Sequence, residues 1–351
     1  MSSPYQNLPA KAYWRSGVVK RGAIEASDLY TPKFAITRQH RIVTAGSCFA
    51  QHVGRTLKQA GYNVQDAEPG PNAPPKLQNR FGYGLYSARY GNVYTARQMR
   101  QLLREAFEGF QPQEVVWEKD GRFYDALRPS VEPEGLPTAQ DVLDHRAQHL
   151  QAVRRLFGDL DLFVFTFGLT EAWCSQQGDT VYPTAPGTIA GQYQPERYQF
   201  RNFRYDEVLA DFRAVRHIIR QQNRKARFLV TVSPVPLTAT ATGQHVEVAS
   251  TYSKSVLRAV CGVLAQDFED VDYFPSYEVI TSQTAHGKHF EANYRSVRRE
   301  GVAKAMALFM AAHDTALPDD PPAPAQPVRP DDAPPEDEFV CEEALLDAFA
   351  K

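Results

Sequence analysis

Hydrophobic residues along the chain follow two spacings. Five short runs rich in β-branched and aromatic residues read as strands buried on both faces: RIVTA (41–45), YNVQD (62–66), LFVFTF (162–167), RFLVTV (227–232) and VDYF (271–274). Between them, apolar residues recur three and four positions apart over 49–60, 95–108, 139–156, 206–223, 249–267 and 297–312, the spacing of helices with one buried face. Strands and helices that alternate in this way predict a three-layer α/β/α fold on a mainly parallel five-stranded sheet with right-handed crossovers. Such sheets place their ligands at the carboxyl ends of the strands.

Two stretches break the alternation. Residues 69–136 hold a Gly/Pro/Asn-rich piece, one helical segment and a hairpin pattern at WEKDGRFYDALRP, and read as a long insertion after the second strand that shapes the site. In 318–335, eight of eighteen residues are proline, a composition that cannot offset the entropy of folding. A domain over 1–317 is therefore expected, then a disordered Pro/Asp-rich linker (318–337). In the segment 338–351, EFVCEEALLDAFAK, Phe339, Leu345, Leu346 and Phe349 fall on one side of a short acidic helix. That helix is expected to dock either on its own domain or on a partner protein.

Composition narrows the function classes. With 43% hydrophobic and 23% charged residues among 351, the chain is neither collagen-like nor wholly disordered. Ten of its 41 acidic residues lie beyond 318, which leaves the rest only mildly basic and gives no case for a nucleic-acid partner. No apolar run reaches the roughly 18 residues of a membrane span, and the first residues lack the apolar core of a signal peptide, so a cytoplasmic location with no membrane partner is expected. Cys48, Cys174, Cys261 and Cys341 lie far apart with no metal-ligand spacing, and read as free thiols. No phosphate-binding glycine loop is present, so neither a metal nor a nucleotide cofactor is expected.

Candidate chemistry centres on RIVTAGSCFAQHVGRTLKQAGYNV. A buried strand ends at Ala45, a turn follows at Gly46-Ser47-Cys48, and a helix carries Phe49, Val53 and Leu57 on one stripe. Ser47 thus stands at a strand tip and a helix N-terminus, where a serine serves either as a cap or as an exposed nucleophile. Cys48 is the competing nucleophile, because a thiol at a helix N-terminus is readily ionised.

The run GSCFA, with YSARYGNVYTARQ (86–98), TFGLTEAW (166–173), SPVPLTAT (233–240), YSKSVLRAV (252–260) and YFPSYEV (273–279), resembles the GSCFA-domain family over about 13–310. That family resembles the SGNH/GDSL esterases and acyltransferases, which implies a flavodoxin-like fold with Ser47 as nucleophile. The resemblance implies oxyanion donors at the backbone of Ser47 and of Gly84 (or Gly82), and matches Gly168 to the third-block glycine. Thr170 and Glu171 stand where that superfamily has Asn and Asp, so Asn92 or the Thr170 hydroxyl is expected to replace the missing amide. The superfamily's Asp-x-x-His is also absent, its place taken by Asn293-Tyr294-Arg295-Ser296. His245, after the fourth strand, is the first choice for the base and His289 the second. Glu278 orients the base, with Glu171 as its alternative. Arg89 and Tyr90, together with Gly168 and Glu171, are expected to bind substrate.

The resulting expectation is a serine esterase or O-acyltransferase acting on an O-acyl group, such as acetyl, of a small molecule or glycan through an acyl-Ser47 intermediate. The alternative is a non-catalytic carbohydrate-binding or scaffold protein on a degenerate fold of the same type.

Overall fold

The computed structural model describes residues 3–21, 28–314 and 342–350. The linker expected over 318–337, residues 338–341 and 351 of the expected docking helix, and Cys341 lie outside the described residues. In chain order the elements are β1 (Ile42–Gly46), α1 (Phe49–Gln59), α2 (Pro75–Arg80), α3 (Ala96–Phe107), β2 (Val116–Lys119), β3 (Arg122–Asp125), α4 (Ala139–Gly158), β4 (Leu162–Phe167), β5 (Glu171–Ser175), β6 (Val181–Tyr182), β7 (Tyr198–Asn202), α5 (Tyr205–Gln222), β8 (Arg227–Val232), α6 (Val246–Asp267), β9 (Val271–Tyr273), α7 (Ser276–Thr281) and α8 (Arg299–Asp314). A 3-10 helix spans Glu342–Phe349.

The central sheet has four strands, β1-β4-β8-β9, all parallel. Ala45 lies opposite Phe165, Phe165 opposite Val230, and Val230 opposite Tyr273. Because successive side chains on a strand point to opposite faces, each strand feeds two cores. Val43, Ala45, Phe163, Phe165, Phe228 and Val230 pack beneath α3, α4, α5 and α6 through Met99, Val153, Phe212 and Leu257. Ile42, Leu162, Val164 and Leu229 pack against α1, α7 and α8 through Val53, Ile280 and Phe309. These two cores make the three layers.

The expected fifth strand is the main correction to the fold. Residues 62–66 contribute one bridge, Val64 to Ile42, held by the Ile42 N–H on Asn63 O (2.9 Å) and the Gln65 N–H on Ile42 O (2.8 Å). Further along, the edge of β1 is taken by the irregular segment 86–93. The Thr44 N–H donates to Ser87 Oγ (2.9 Å), the Tyr90 hydroxyl donates to Thr44 O, and the Val93 N–H donates to Gly46 O (2.9 Å). A strand cannot lie where a tyrosine-rich loop already satisfies the edge.

Within the insertion, the helix (α3) and the hairpin (β2–β3) both form. The hairpin turns at Asp120-Gly121, both with positive φ (52° and 73°), the geometry that matches strand twist in a two-residue loop. The three-stranded antiparallel sheet β6-β5-β7 was not among the expected elements. Among the described residues no helix is long and apolar enough to cross a membrane.

Candidate active site

β1 delivers Ser47 to the carboxyl end of the central sheet through a backbone that only glycine accepts. Gly46 has φ +147°, and a Cβ there would lie 2.5 Å from the carbonyl oxygen of Thr166 on β4. The Ser47 N–H is turned the same way, onto Thr166 O at 3.4 Å. Across the crevice, β4 is followed by Gly168, where a Cβ would lie 2.7 Å from Ser47 Cβ, 3.2 Å from Ser47 Oγ and 2.9 Å from Tyr94 O. Glycine at 168 is what lets the serine side chain sit between the two strand ends.

Ser47 is 3% exposed, and its Oγ has no hydrogen-bond partner among the described residues. The reading of Ser47 as a helix cap fails on this point, since a capping hydroxyl accepts an N–H from the first turn. Cys48 takes the cap position of α1, and its side chain does not cap the first-turn N–H groups. It is partly exposed, while Cys174 and Cys261 are buried free thiols that burial pushes up, Cys174 to about 11.

A polar wall faces Ser47 from the segment 86–94. The Tyr86 hydroxyl bridges Ser47 O (3.2 Å) and Asn92 Oδ1, and Gln51 Nε2 also donates to Asn92 Oδ1 (3.3 Å). With its oxygen held by two donors, Asn92 presents Nδ2 to the crevice, where it donates to Glu342 Oε2. The Tyr94 hydroxyl donates to the same Oε2 at 2.7 Å. Tyr94 is fixed at the backbone. Its carbonyl accepts the N–H groups of Gly168 (3.1 Å) and Leu169 (2.9 Å), and its N–H donates to Gln98 Oε1 (2.9 Å), part of the Thr95/Gln98 capping box of α3.

On the other side lies Lys254 of α6, 4% exposed, whose Nζ donates to Gly168 O at 2.7 Å. It forms no ion pair with any described residue. Burial lowers its pKa from the usual lysine range to about 8, partly opposed by the nearby Glu343 and Cys48. Glu343 pairs with Arg295 at 3.2 Å. A cleft of about 200 Å³ continues outward between Leu169, Glu171, Trp173, Phe200, Thr240 and Leu346. Burial raises the Glu171 carboxyl above its usual range, and it accepts the Thr240 hydroxyl at 2.8 Å. A separate cavity opens at the amino ends of the strands, lined by Phe34, His40, Asp161 and Arg227, away from Ser47.

Of the residues singled out from sequence, Ser47, Cys48, Asn92 and Gly168 come together here, and Glu171 lines the cleft. The others have different surroundings. His245 is an exposed cap of α6 whose Nδ1 accepts the Glu247 N–H (3.2 Å). His289 is buried against Gly301 of α8, its Nδ1 3.3 Å from Ile280 O. Since Ser47 Oγ has no partner, neither imidazole is within hydrogen-bond reach of it. Glu278 pairs with Arg258 and accepts the Tyr273 hydroxyl (2.6 Å), not a histidine. The Thr170 hydroxyl donates to Asn202 Oδ1 at 2.7 Å. Gly84 lines a surface pocket with Arg55, Lys58 and Asn79. Arg89 is buried, its guanidinium bonded to Phe81 O, Val131 O and Glu132, and the buried Tyr90 hydroxyl is held by Thr44 O, so both brace the loop.

Sequence reasoning places Tyr94 only in an aromatic substrate wall with Tyr86, Tyr90, Arg89 and Arg97, and it misses Lys254 and Glu342. For Lys254 a signal existed: it falls on the apolar stripe of α6 with Ser250, Leu257 and Cys261, four before it and three and seven after it, where a cation is out of place.

No curated protein matches the chain. The sequence model that does match is that of the GSCFA family, over residues 41–309, a span that runs from the start of β1 into α8 and takes in Ser47, Asn92, Tyr94, Gly168 and Lys254. The chain belongs to the GSCFA family.

Proposed function

We propose that the protein is a serine esterase or O-acyltransferase, with Ser47 as the nucleophile, on a fold of the SGNH type. The observation that carries this reading is the Ser47 hydroxyl itself: buried, without a partner, and set between two strand ends beside donors that converge on one point. Lys254 Nζ, held on Gly168 O and, like the imidazoles, not hydrogen-bonded to Ser47 Oγ in this state, moves onto that oxygen when substrate enters and, as the neutral amine, takes its proton while the oxygen attacks the acyl carbon and the carbonyl electrons move to oxygen. Asn92 Nδ2 and the Tyr94 hydroxyl stabilise that oxyanion, a position now filled by Glu342 Oε2. Collapse breaks the ester C–O bond, and the leaving alkoxide takes the proton held on Lys254. Water or a second alcohol then resolves the acyl-Ser47 by the reverse steps. The aromatic walls of the cleft, Trp173 and Phe200, suit a sugar as the alcohol.

The test is a fluorophosphonate probe followed by peptide mapping. The adduct is expected on Ser47, absent in Ser47→Ala and kept in Cys48→Ala. A folded protein that takes no adduct points to the second reading, a carbohydrate-binding protein, which the absence of any imidazole at Ser47 favours; its binding survives Ser47→Ala.

A further inference from the structure

The 3-10 helix Glu342–Phe349 is docked on the crevice of Ser47, and the way it docks has chemical content. Glu342 is 3% exposed although its side chain ends in a polar carboxyl group. One carboxylate oxygen accepts from both Asn92 Nδ2 and the Tyr94 hydroxyl, and the other accepts from Ser130 Oγ. A buried carboxylate is tolerated only when its lone pairs are met by donors in this way. Glu343 adds its ion pair with Arg295, and Leu346 enters the cleft beside Trp173. Beneath this plug the Ser47 hydroxyl is buried and has no hydrogen-bond partner among the described residues.

We propose that the Asn92/Tyr94/Ser130 cradle is a binding site for small carboxylates, and that Glu342 fills it as a built-in mimic of the carboxylic acid that the reaction releases. The side chain of Glu342 beyond Cβ has the outline of a short straight-chain acid. The cradle's ligands are therefore monocarboxylates such as acetate and propanoate, and the protein rests in a self-inhibited state until the 342–349 helix lifts. This inference uses the nucleophile reading for its inhibitory half only; the carboxylate site stands on geometry alone.

The experiment uses the full chain. The rate at which a neutral fluorophosphonate labels Ser47 is compared in the wild type, Glu342→Ala and the isosteric Glu342→Gln. Both variants are expected to label faster, about tenfold or more for Ala, and propanoate at millimolar concentration is expected to slow labelling of Glu342→Ala but not of the wild type. A rate in Glu342→Gln at or below that of the wild type overturns the inhibitory role, because it means that the carboxylate assists the serine. Propanoate binding is measured separately by calorimetry in Ser47→Ala and in Ser47→Ala/Glu342→Ala. Binding confined to the double variant supports the carboxylate site even if Ser47 takes no adduct, and equal or absent binding in both overturns it.

Discussion

The choice of base at Ser47 turns on one buried lysine. Since burial brings Lys254 down to about 8, the free amine grows in as pH rises through that value. Labelling of Ser47 by a fluorophosphonate should rise about tenfold between pH 7 and pH 9 and then level off. Lys254→Met should remove this dependence and slow labelling by about 10²-fold or more, and Lys254→Arg should not restore it, because a guanidinium stays protonated. A flat profile in the wild type would exclude Lys254 as the base. The same group leaves a trace in stability. Between about 8 and the ordinary lysine value the unfolded chain binds the proton and the folded chain does not, so folding should strengthen with rising pH there, less so in Lys254→Met. Gly168 offers a steric counterpart. In Gly168→Ala the added methyl meets Ser47 Cβ and the Tyr94 carbonyl at under 3 Å, and the forced shift should cost about 1–3 kcal/mol in a denaturant melt and abolish labelling.

Elements carry the site by fixing where loops begin. The capping box of α3 holds Tyr94 at its backbone, and a second box, Thr138 with Asp141, starts α4. Thr95→Ala and Thr138→Ala should each lower stability by about 1 kcal/mol, but only Thr95→Ala should also slow labelling of Ser47. Equal labelling in both would detach the α3 cap from the site. At this scale the sequence was most informative where burial is continuous: LFVFTF and RFLVTV became β4 and β8 because every residue from Phe228 to Val232 and from Leu162 to Phe167 is buried. YNVQD failed as a strand for a reason its own composition does not hold, since the competing edge partner, 86–93, comes over twenty residues later. β5, β6 and β7 leave little trace in the hydrophobic pattern because they are short and partly polar, though Gly178-Asp179 between two aromatic pieces marks their first turn. For the candidate site, the strand-turn-helix frame singles out Ser47, the family resemblance adds Gly168, and the departure at Thr170-Glu171 leads to Asn92 or the Thr170 hydroxyl as a replacement donor. Sequence chemistry favours imidazole and so points to His245 or His289 as base, whereas the proposed base, Lys254, is visible only in the packing that buries it against Gly168 O.

The whole molecule is expected to be sensitive to mild acid through a cluster packed behind the 86–94 segment. His149 is 1% exposed, its Nδ1 is 2.7 Å from Glu68, and its Nε2 has no partner. Burial, aided by Arg128, lowers it to about 4, while its neighbour Glu68 is held down at about 2 by the hydrogen bond and charge of His149 against its own desolvation. As pH falls from about 6.5 to about 4, the unfolded chain gains a proton on this histidine that the folded chain refuses, so stability drops through that window; the Glu68 contribution follows from about 4.5 down to about 2. The thermal midpoint should therefore fall between pH 7 and pH 4.5, and His149→Gln should flatten the curve. A midpoint constant across that range would contradict the buried neutral imidazole.

The span between Ser47 and Glu342 also bears on how the protein is made. A ribosome adds about 5–20 residues per second, and the nearly three hundred residues that separate the two take on the order of tens of seconds to appear. Only in the last part of that interval, after β9 ends at Tyr273, have all four strands around Ser47 been synthesised while the plug has not, so a nascent chain passes through a stage in which the sheet is complete and the crevice lacks its plug.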